Sequence, residues 1–514
     1  MGYTLNFKEL DRMVDRFGAA LDRFGIKKGD SVALVLPNTI QCVVAYYAIL
    51  RIGAVVVMNN PLYSDREFLH QLTDSGAKLL VTIDLLANRM IALRPQTRVK
   101  QIIVASIGDY LPFPKSLLFP LVAKKKGLAA EVNPAPDIYR FRDLIKSAPP
   151  VPPVVNISFN DVAQYQYTGG TTGVSKGVIL SHKNLCVQLQ QVEAWFPHLK
   201  RGEEKMLGAL PFFHVFGLTI SMNFAIYMGW GNILVPKPQP EQLFETFMKF
   251  RPTFIPMVPT MYIGLLNHPH IDKLELKNIA GCFSGSASLP VEIIRKFEQK
   301  SGVVICEGFG LTEASPVTHI NPLIKGRTKP GTIGLPLSDT ECRIVDIRDG
   351  KTDMPQGESG ELVVRGPQVM SGYKGMESET AYALRDGWLH TGDIAVMDHE
   401  GYFSIIDRLK DMVITGGYNV YPREIDEVLY SHPKISEACS VGIPDNVMGE
   451  IIKVFVVLRE GEDCTQEEII EFCSRQLAKY KLPREVEFRK TLPKSAVGKI
   501  LRKELKEEEL AKRK

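Results

Sequence analysis

Residues Tyr167–Val178 read YTGGTTGVSKGV, a run of glycines and hydroxyls that ends on one lysine and leads into the apolar Val178–Leu180. Such a loop offers backbone N–H groups, hydroxyls and an ammonium to a phosphate chain, because Gly169, Gly170 and Gly173 let the backbone come close. It is not the Walker loop, which needs Gly before its lysine and Ser or Thr after it; here Ser175 precedes Lys176 and Gly177 follows it. A Ser/Thr/Gly-rich run standing alone is also what an ordinary surface turn looks like. Other reactive side chains have equally plain readings in isolation. Thr312–Glu313 reads as a helix cap, Asp393 as a turn former, His214 as a packed histidine satisfied by a carbonyl, and Lys499 as an exposed loop lysine.

The elements that must position these residues belong to an ordinary globular chain. It has 514 residues, 45% hydrophobic and 23% charged, enough for about two to four domains. A formal charge of +4 is small, and the Lys-rich tail Lys503–Lys514 is interleaved with Glu, so nucleic-acid binding is excluded. The cysteines at 42, 186, 282, 306, 342, 439, 464 and 473 form no CxxC pair and no zinc spacing, which implies free thiols in a reducing, cytoplasmic setting. No secretory signal is expected, since Asp11, Arg12, Asp15 and Arg16 fall where an apolar region would be needed. Phe212–Pro236 carries no Asp, Glu, Lys or Arg and is long enough to cross a bilayer, but His214, Asn223, Gly229, Gly231 and Asn232 favour burial. We read it as a buried helix over Leu218–Tyr227, a turn, and a strand over Asn232–Val235. Leu111–Gly127, broken by three prolines and ending in three lysines before its glycine, reads as a surface loop that could rest on a membrane, peripheral to the inner membrane.

Strand-like and helical runs alternate through the first part: Ser31–Leu36, Ile40–Arg51, Ala54–Met58, Leu79–Ile83 and Ile102–Ala105. This is the rhythm of parallel sheets covered by helices. A Pro-rich linker, Ser147–Val154, precedes the glycine-rich run, and the rhythm returns with strands near Phe254–Val258, Ile279–Ser284 and Val303–Glu307. From about 325 to 406 short β runs with Gly, Asp and Pro turns predict a small β-barrel, and a small α+β unit follows. The expected fold is therefore α/β: a large domain over 1–407 made of two parallel-type subdomains and the barrel, a hinge at 408–410, and a small mobile domain over 411–514.

The first run gains meaning from its companions PFFHVFG (Pro211–Gly217), EGFGLTE (Glu307–Glu313), HTGD (His390–Asp393), DRLKDMVITGGYNVYPREID (Asp407–Asp426) and PKSAVGK (Pro493–Lys499). In this order the chain resembles the adenylate-forming superfamily of acyl-CoA synthetases, adenylation domains and beetle luciferases, to about Leu505. PFFHVFG, TGGYNVYP and FPKSLLFP look most like bacterial long-chain fatty acid CoA ligases. Tyr3–Asp11 resembles a segment that relatives precede with further sequence, and a homodimer is left open.

The resemblance implies ATP, Mg2+ and CoA as cofactor and co-substrates and a fatty acid as the small-molecule partner. Thr168, Gly169, Gly170, Thr171, Thr172, Gly173 and Lys176 would hold the β- and γ-phosphates. Glu313, with Thr168, would coordinate Mg2+, and Thr312 would meet the α-phosphate or AMP. Gly285, Ser286, Ala287, Glu307, Gly308, Phe309 and Gly310 would line the adenine slot. Asp393 would accept the ribose hydroxyls with Arg408 assisting. Lys499 would bridge the acyl carboxylate and α-phosphate as they bond. Lys410 matches the hinge, where many relatives carry aspartate; rotation there would bring Thr415–Asn419 over the site, with Gly416 and Gly417 passing the pantetheine arm. His214 matches a gate beside the carboxylate, and Phe216 the acyl wall. The expected activity is AMP-forming ligation of a long-chain fatty acid to CoA. An aryl-CoA ligase of the coumarate type, an enzyme passing its adenylate to another acceptor, and a non-ligase nucleotide-binding protein or ATPase are the alternatives.

Overall fold

In the computed structural model, residues 2–513 are described except 113–114, 116–118, 120–122, 124–126, 169–174, 325, 417, 446 and 496–497. Gly169, Gly170, Thr171, Thr172, Gly173, Gly417 and much of the Leu111–Gly127 segment therefore lie outside the described residues.

Two large sheets make up the first four-fifths of the chain. In the first, Val162–Thr168, Val55–Met58, Ser31–Val35, Leu79–Ile83, Gln101–Ala105 and Ile138–Arg140 run parallel in that order. Its central strands are buried at every position, which explains their unbroken apolar runs. Lys176–Ser181 and Gly372–Tyr373 then add to the Val162–Thr168 edge antiparallel. The second sheet repeats this plan: Gly231–Leu234, Lys205–Gly208, Phe254–Met257, Gly281–Ser284 and Ile305–Gly310 are parallel, and Val317–Ile320 and Leu335–Pro336 close it antiparallel. Both sheets are thus mixed, and both switch direction at the strand that leads to a predicted site segment.

Covering helices start where the sequence caps them. Asn6 and Glu9 form a capping box for Phe7–Arg23, whose Met13, Val14, Phe17 and Leu21 face the core. Ser64 and Glu67 do the same for Asp65–Ser75. The uncharged run is buried as expected, although not as a plain α-helix: Gly217–Asn223 winds as a π-helix and only Phe224–Tyr227 is α-helical. Its wide turn is pinned by polar bonds, from Thr219 Oγ1 to the Ser315 carbonyl (2.9 Å) and from the Tyr47 hydroxyl to Asn223 Oδ1 (2.8 Å). Among the described residues no helix is long and apolar enough to cross a membrane.

The β-rich region departs from the expected barrel. Glu341–Val345, Gly360–Arg365, Leu389–Met397 and Phe403–Arg408 form an open antiparallel sheet, and its two outer strands do not pair with each other among the described residues. One buried face, with Ile344, Leu362, Val364, Ala395 and Phe403, suffices for so small a sheet, so closure is not needed. A last sheet joins Tyr418–Val420, Val413–Thr415, Gly449–Leu458, Ile435–Asp445 and Glu485–Phe488. Helix Pro422–Tyr430 abuts the preceding sheet: the Arg423 amide donates to Asp407 (2.8 Å) and its guanidinium to the Ile405 carbonyl (2.8 Å).

Candidate functional site

Thr168 and Lys176, which flank the glycine-rich run in sequence, are register partners on adjacent antiparallel strands. Helix Asp65–Ser75 grips the ends of that run. Asp74 accepts the Tyr167 hydroxyl (2.5 Å), His70 Nε2 meets the Ser175 carbonyl (2.8 Å), and the Gln71 amide donates to Ser175 Oγ (3.3 Å). On the other flank the Lys176 ammonium stands 4.9 Å from the Tyr373 ring centroid, and the Tyr373 hydroxyl donates to Glu313 Oε1 (2.7 Å). None of these supporting residues was foreseen. Only the turn-and-edge composition of VMSGYKG, Val369–Gly375, hinted that something pairs there.

Thr312 and Glu313 occupy a single 3-10 turn after strand Ile305–Gly310, closed by Ser315 at φ +71°. The Met370 amide donates to the Glu313 carbonyl (2.8 Å) and Ser315 Oγ to the Gln368 carbonyl (2.8 Å), which fixes the turn against the first sheet's edge. Glu313 supplies hard carboxylate oxygen, and Thr168 a hydroxyl. Among the described residues no group of three or more His, Cys, Asp or Glu is gathered for a metal. That donor set fits a cation held by one carboxylate and by ligand phosphates, the habit of Mg2+.

The predicted adenine segments lie together at the ends of neighbouring parallel strands. A Cβ on Gly285 would lie 3.2 Å from the Phe216 ring and 3.5 Å from the Gly308 carbonyl, and Ser286 adopts φ +70°. Glu307 is the exception in kind: its buried carboxylate accepts the Leu289 and Gly331 amides, both at 3.1 Å, and burial raises its pKa. It holds loops with its side chain, and its carbonyl accepts the Asn321 amide (2.8 Å).

Asp393 and Arg408 are cross-strand partners, joined by a 2.8 Å ion pair from Arg408 Nε to Asp393 Oδ1. Asp393 is 2% exposed, and its Oδ2 has no partner among the described residues. Burial raises its pKa, against which the charges of Arg408 and then Lys499 favour the carboxylate. A buried carboxylate oxygen without a donor is a ready acceptor for a hydroxyl. The Leu409 amide donates to the Gly392 carbonyl (2.9 Å), so the chain leaving this pair starts anchored to it.

Lys499 reaches the same cleft from the far end of the sequence. Its side chain keeps access to solvent there, yet the cleft walls strip enough water, with the Arg408 charge adding, to lower its pKa to about 8. The turn carrying it presses on the large domain: a Cβ on Gly498 would fall 2.5 Å from Thr260 Oγ1, and Gly498 sits at φ +75°. His214 accepts the Phe216 amide on Nδ1 (3.3 Å), which leaves its proton on Nε2. Burial, then the Lys499 charge, lowers its pKa to about 4, so the ring is neutral near pH 7.

Lys410 is exposed at the edge of these groups, its pKa lowered by partial desolvation and opposed by Asp411. Gly416 does not join the cluster. It is exposed at φ +56° on the hairpin of Val413–Thr415 and Tyr418–Val420, with its amide on the Met448 carbonyl (2.8 Å).

This arrangement has counterparts. The chain is 45% identical to a long-chain-fatty-acid–CoA ligase of Bacillus subtilis, covering 99% of this chain and 90% of that one. It is 39% identical to a ligase of the same name from Salmonella typhi, covering 99% and 91%. Among solved structures, ATP-bound MatB from Rhodopseudomonas palustris superposes with a TM-score of 0.85 at 28% identity, covering 98% and 93%. The apo form of the same protein gives 0.75 over 99% and 94%. Of these two forms, the ATP-bound one is the better match to this chain. The AMP-binding enzyme family matches residues 1–374 and the AMP-binding enzyme C-terminal domain matches 424–499. On sequence and fold alike, the chain belongs to the AMP-binding enzyme family.

Proposed function

We propose that the protein is an ATP-dependent ligase that joins a long-chain fatty acid to CoA through an acyl-adenylate. The observation that carries this reading is the buried Asp393, paired with Arg408 at 2.8 Å, with Lys499 near enough from the other end of the sequence for its charge to act on both Asp393 and His214. In the first half-reaction a carboxylate oxygen attacks the α-phosphorus, and the bond to pyrophosphate breaks. Lys499 stabilises charge gathering on the carboxylate and phosphoryl oxygens, while Asp393 orients the ribose and Lys176 with its loop receives the departing pyrophosphate. Glu313 and Thr168 would hold Mg2+, which would supply charge neutralisation of the triphosphate. Neutral His214 donates from Nε2 toward the acyl carboxylate without adding a second cation.

The second half-reaction needs Lys499 out and a thiol path in. Residues 1–407 act as one domain and 411–514 as another, and rotation at Lys410 carries the Gly416–Gly417 hairpin to the cleft. The CoA thiolate then attacks the acyl carbon, the bond to AMP breaks, and thioester and AMP leave. The uncharged run through Tyr227 forms a wall for the acyl chain. Homologues named for long-chain fatty acids support the substrate class, and the buried apolar wall agrees with it.

A panel of acids tests the reading. Hexadecanoate should give CoA-dependent AMP and pyrophosphate release, and cinnamates little. Preference for cinnamates would move the protein to the aryl class, while ADP as product would remove it from the ligases.

A further inference from the structure

Lys176 and Glu313 carry opposite charges on neighbouring segments, yet they form no ion pair with one another among the described residues; each instead contacts Tyr373. Tyr373 lies on the edge strand Gly372–Tyr373, whose partners are Ile179 and Val178. The strand is held on every side: the Lys374 amide donates to the Gly177 carbonyl (2.8 Å), the Ser371 amide to the Ile179 carbonyl (3.2 Å), and the Tyr373 amide to Thr380 Oγ1 (2.9 Å). With the Met370 amide on the Glu313 carbonyl, one short segment grips both the Lys176–Ser181 strand and the Thr312–Ala314 turn.

We propose that Tyr373 is a positioning residue of the triphosphate site, aligning the ammonium of Lys176 through its ring face and the carboxylate of Glu313 through its hydroxyl. Three physical consequences follow from that placement. A lysine side chain loses rotamer freedom on ordering, and the ring face fixes it before substrate arrives. A neutral donor on Oε1 orients Glu313 while leaving its charge and its second oxygen for a cation. Separation of the two charges keeps each from being spent on the other.

The inference rests on the reading that Lys176 and Glu313 serve the triphosphate and its magnesium, and calorimetry on the full-length protein separates the two. Wild type, Tyr373→Phe and Tyr373→Leu are titrated with AMP, with ATP in EDTA, and with ATP in excess Mg2+. Tyr373→Phe keeps the ring, so AMP and metal-free ATP should bind within about two-fold of wild type. The affinity gained on adding Mg2+ should shrink by about ten-fold or more, the scale of a hydrogen bond to a charged group. Tyr373→Leu should weaken metal-free ATP as well, with AMP unchanged. A Phe variant with an intact Mg2+ gain, or one that loses AMP in parallel with ATP, overturns the assignment. Wild type without any Mg2+ gain refutes the metal reading and the proposal with it.

Discussion

Lys499 is a cation whose proton is held less tightly than in water, with a pKa of about 8 in the cleft. Below that value it is the ammonium that adenylate formation needs; above it the charge is lost. The kcat/KM for pyrophosphate release should therefore fall as pH rises through about 8, whereas thioester formation from supplied acyl-adenylate should show no such limb. Lys499→Arg should shift the limb out of reach, since a guanidinium does not titrate there. Lys499→Ala should slow adenylate formation by roughly 10²–10³-fold and spare the second half-reaction. His214, neutral down to about 4, adds no acid limb in the working range. At Asp393, the free Oδ2 leads to a different expectation: Asp393→Ala should weaken ATP and AMP alike, by roughly 10²-fold in equilibrium titration. Loss of ATP affinity alone would place the ribose elsewhere.

At the scale of elements, the tightest constraint is the turn before Lys499. Gly498 combines φ +75° with the closeness of Thr260, so Gly498→Ala should impair adenylate formation by about ten-fold or more while leaving the overall fold intact. Thr260→Ala in that background should return part of the rate, because it relieves the overlap but not the backbone conformation. The candidates the sequence offered share a property: Asp393, Arg408, Glu313 and Lys499 each stand within a short, recognisable run and are proposed to act through their own side chains. Tyr373, Asp74 and His70 reach partners 60, 93 and 105 positions away, and only the folded sheet brings them there. Strand Ile435–Asp445 escaped notice because ISEACSVGIPD mixes polar, Gly and Pro residues, yet it is one of the longest strands of the last sheet. Leu218–Tyr227 was readable as buried and helical, but its period could not reveal the wide turn imposed by Thr219 and Asn223. The barrel failed for a similar reason: alternation defines a buried face, not closure.

Across the whole molecule, the proposed two-step reaction requires two poses of the segment after residue 407. The Arg423 amide and guanidinium on Asp407 and Ile405 secure the present one. Lys410→Pro should keep pyrophosphate release and stop thioester formation, because a fixed φ at that residue blocks the rotation; equal loss of both steps would remove the hinge. The uncharged run offers a different kind of reading. Phe212, Leu218 and Met222 pack into one core cluster, and Phe216, Ile220 and Phe224 into the other, so a methylene chain lying along the run would complete the protein's own interior. Heat would then report what turnover does not. With ATP withheld, each added CH2 is worth up to about 0.8 kcal/mol of burial, and the melting temperature should climb stepwise with acid length until the space is filled. The length at which it stops climbing would measure the depth of the acyl site without a single catalytic cycle.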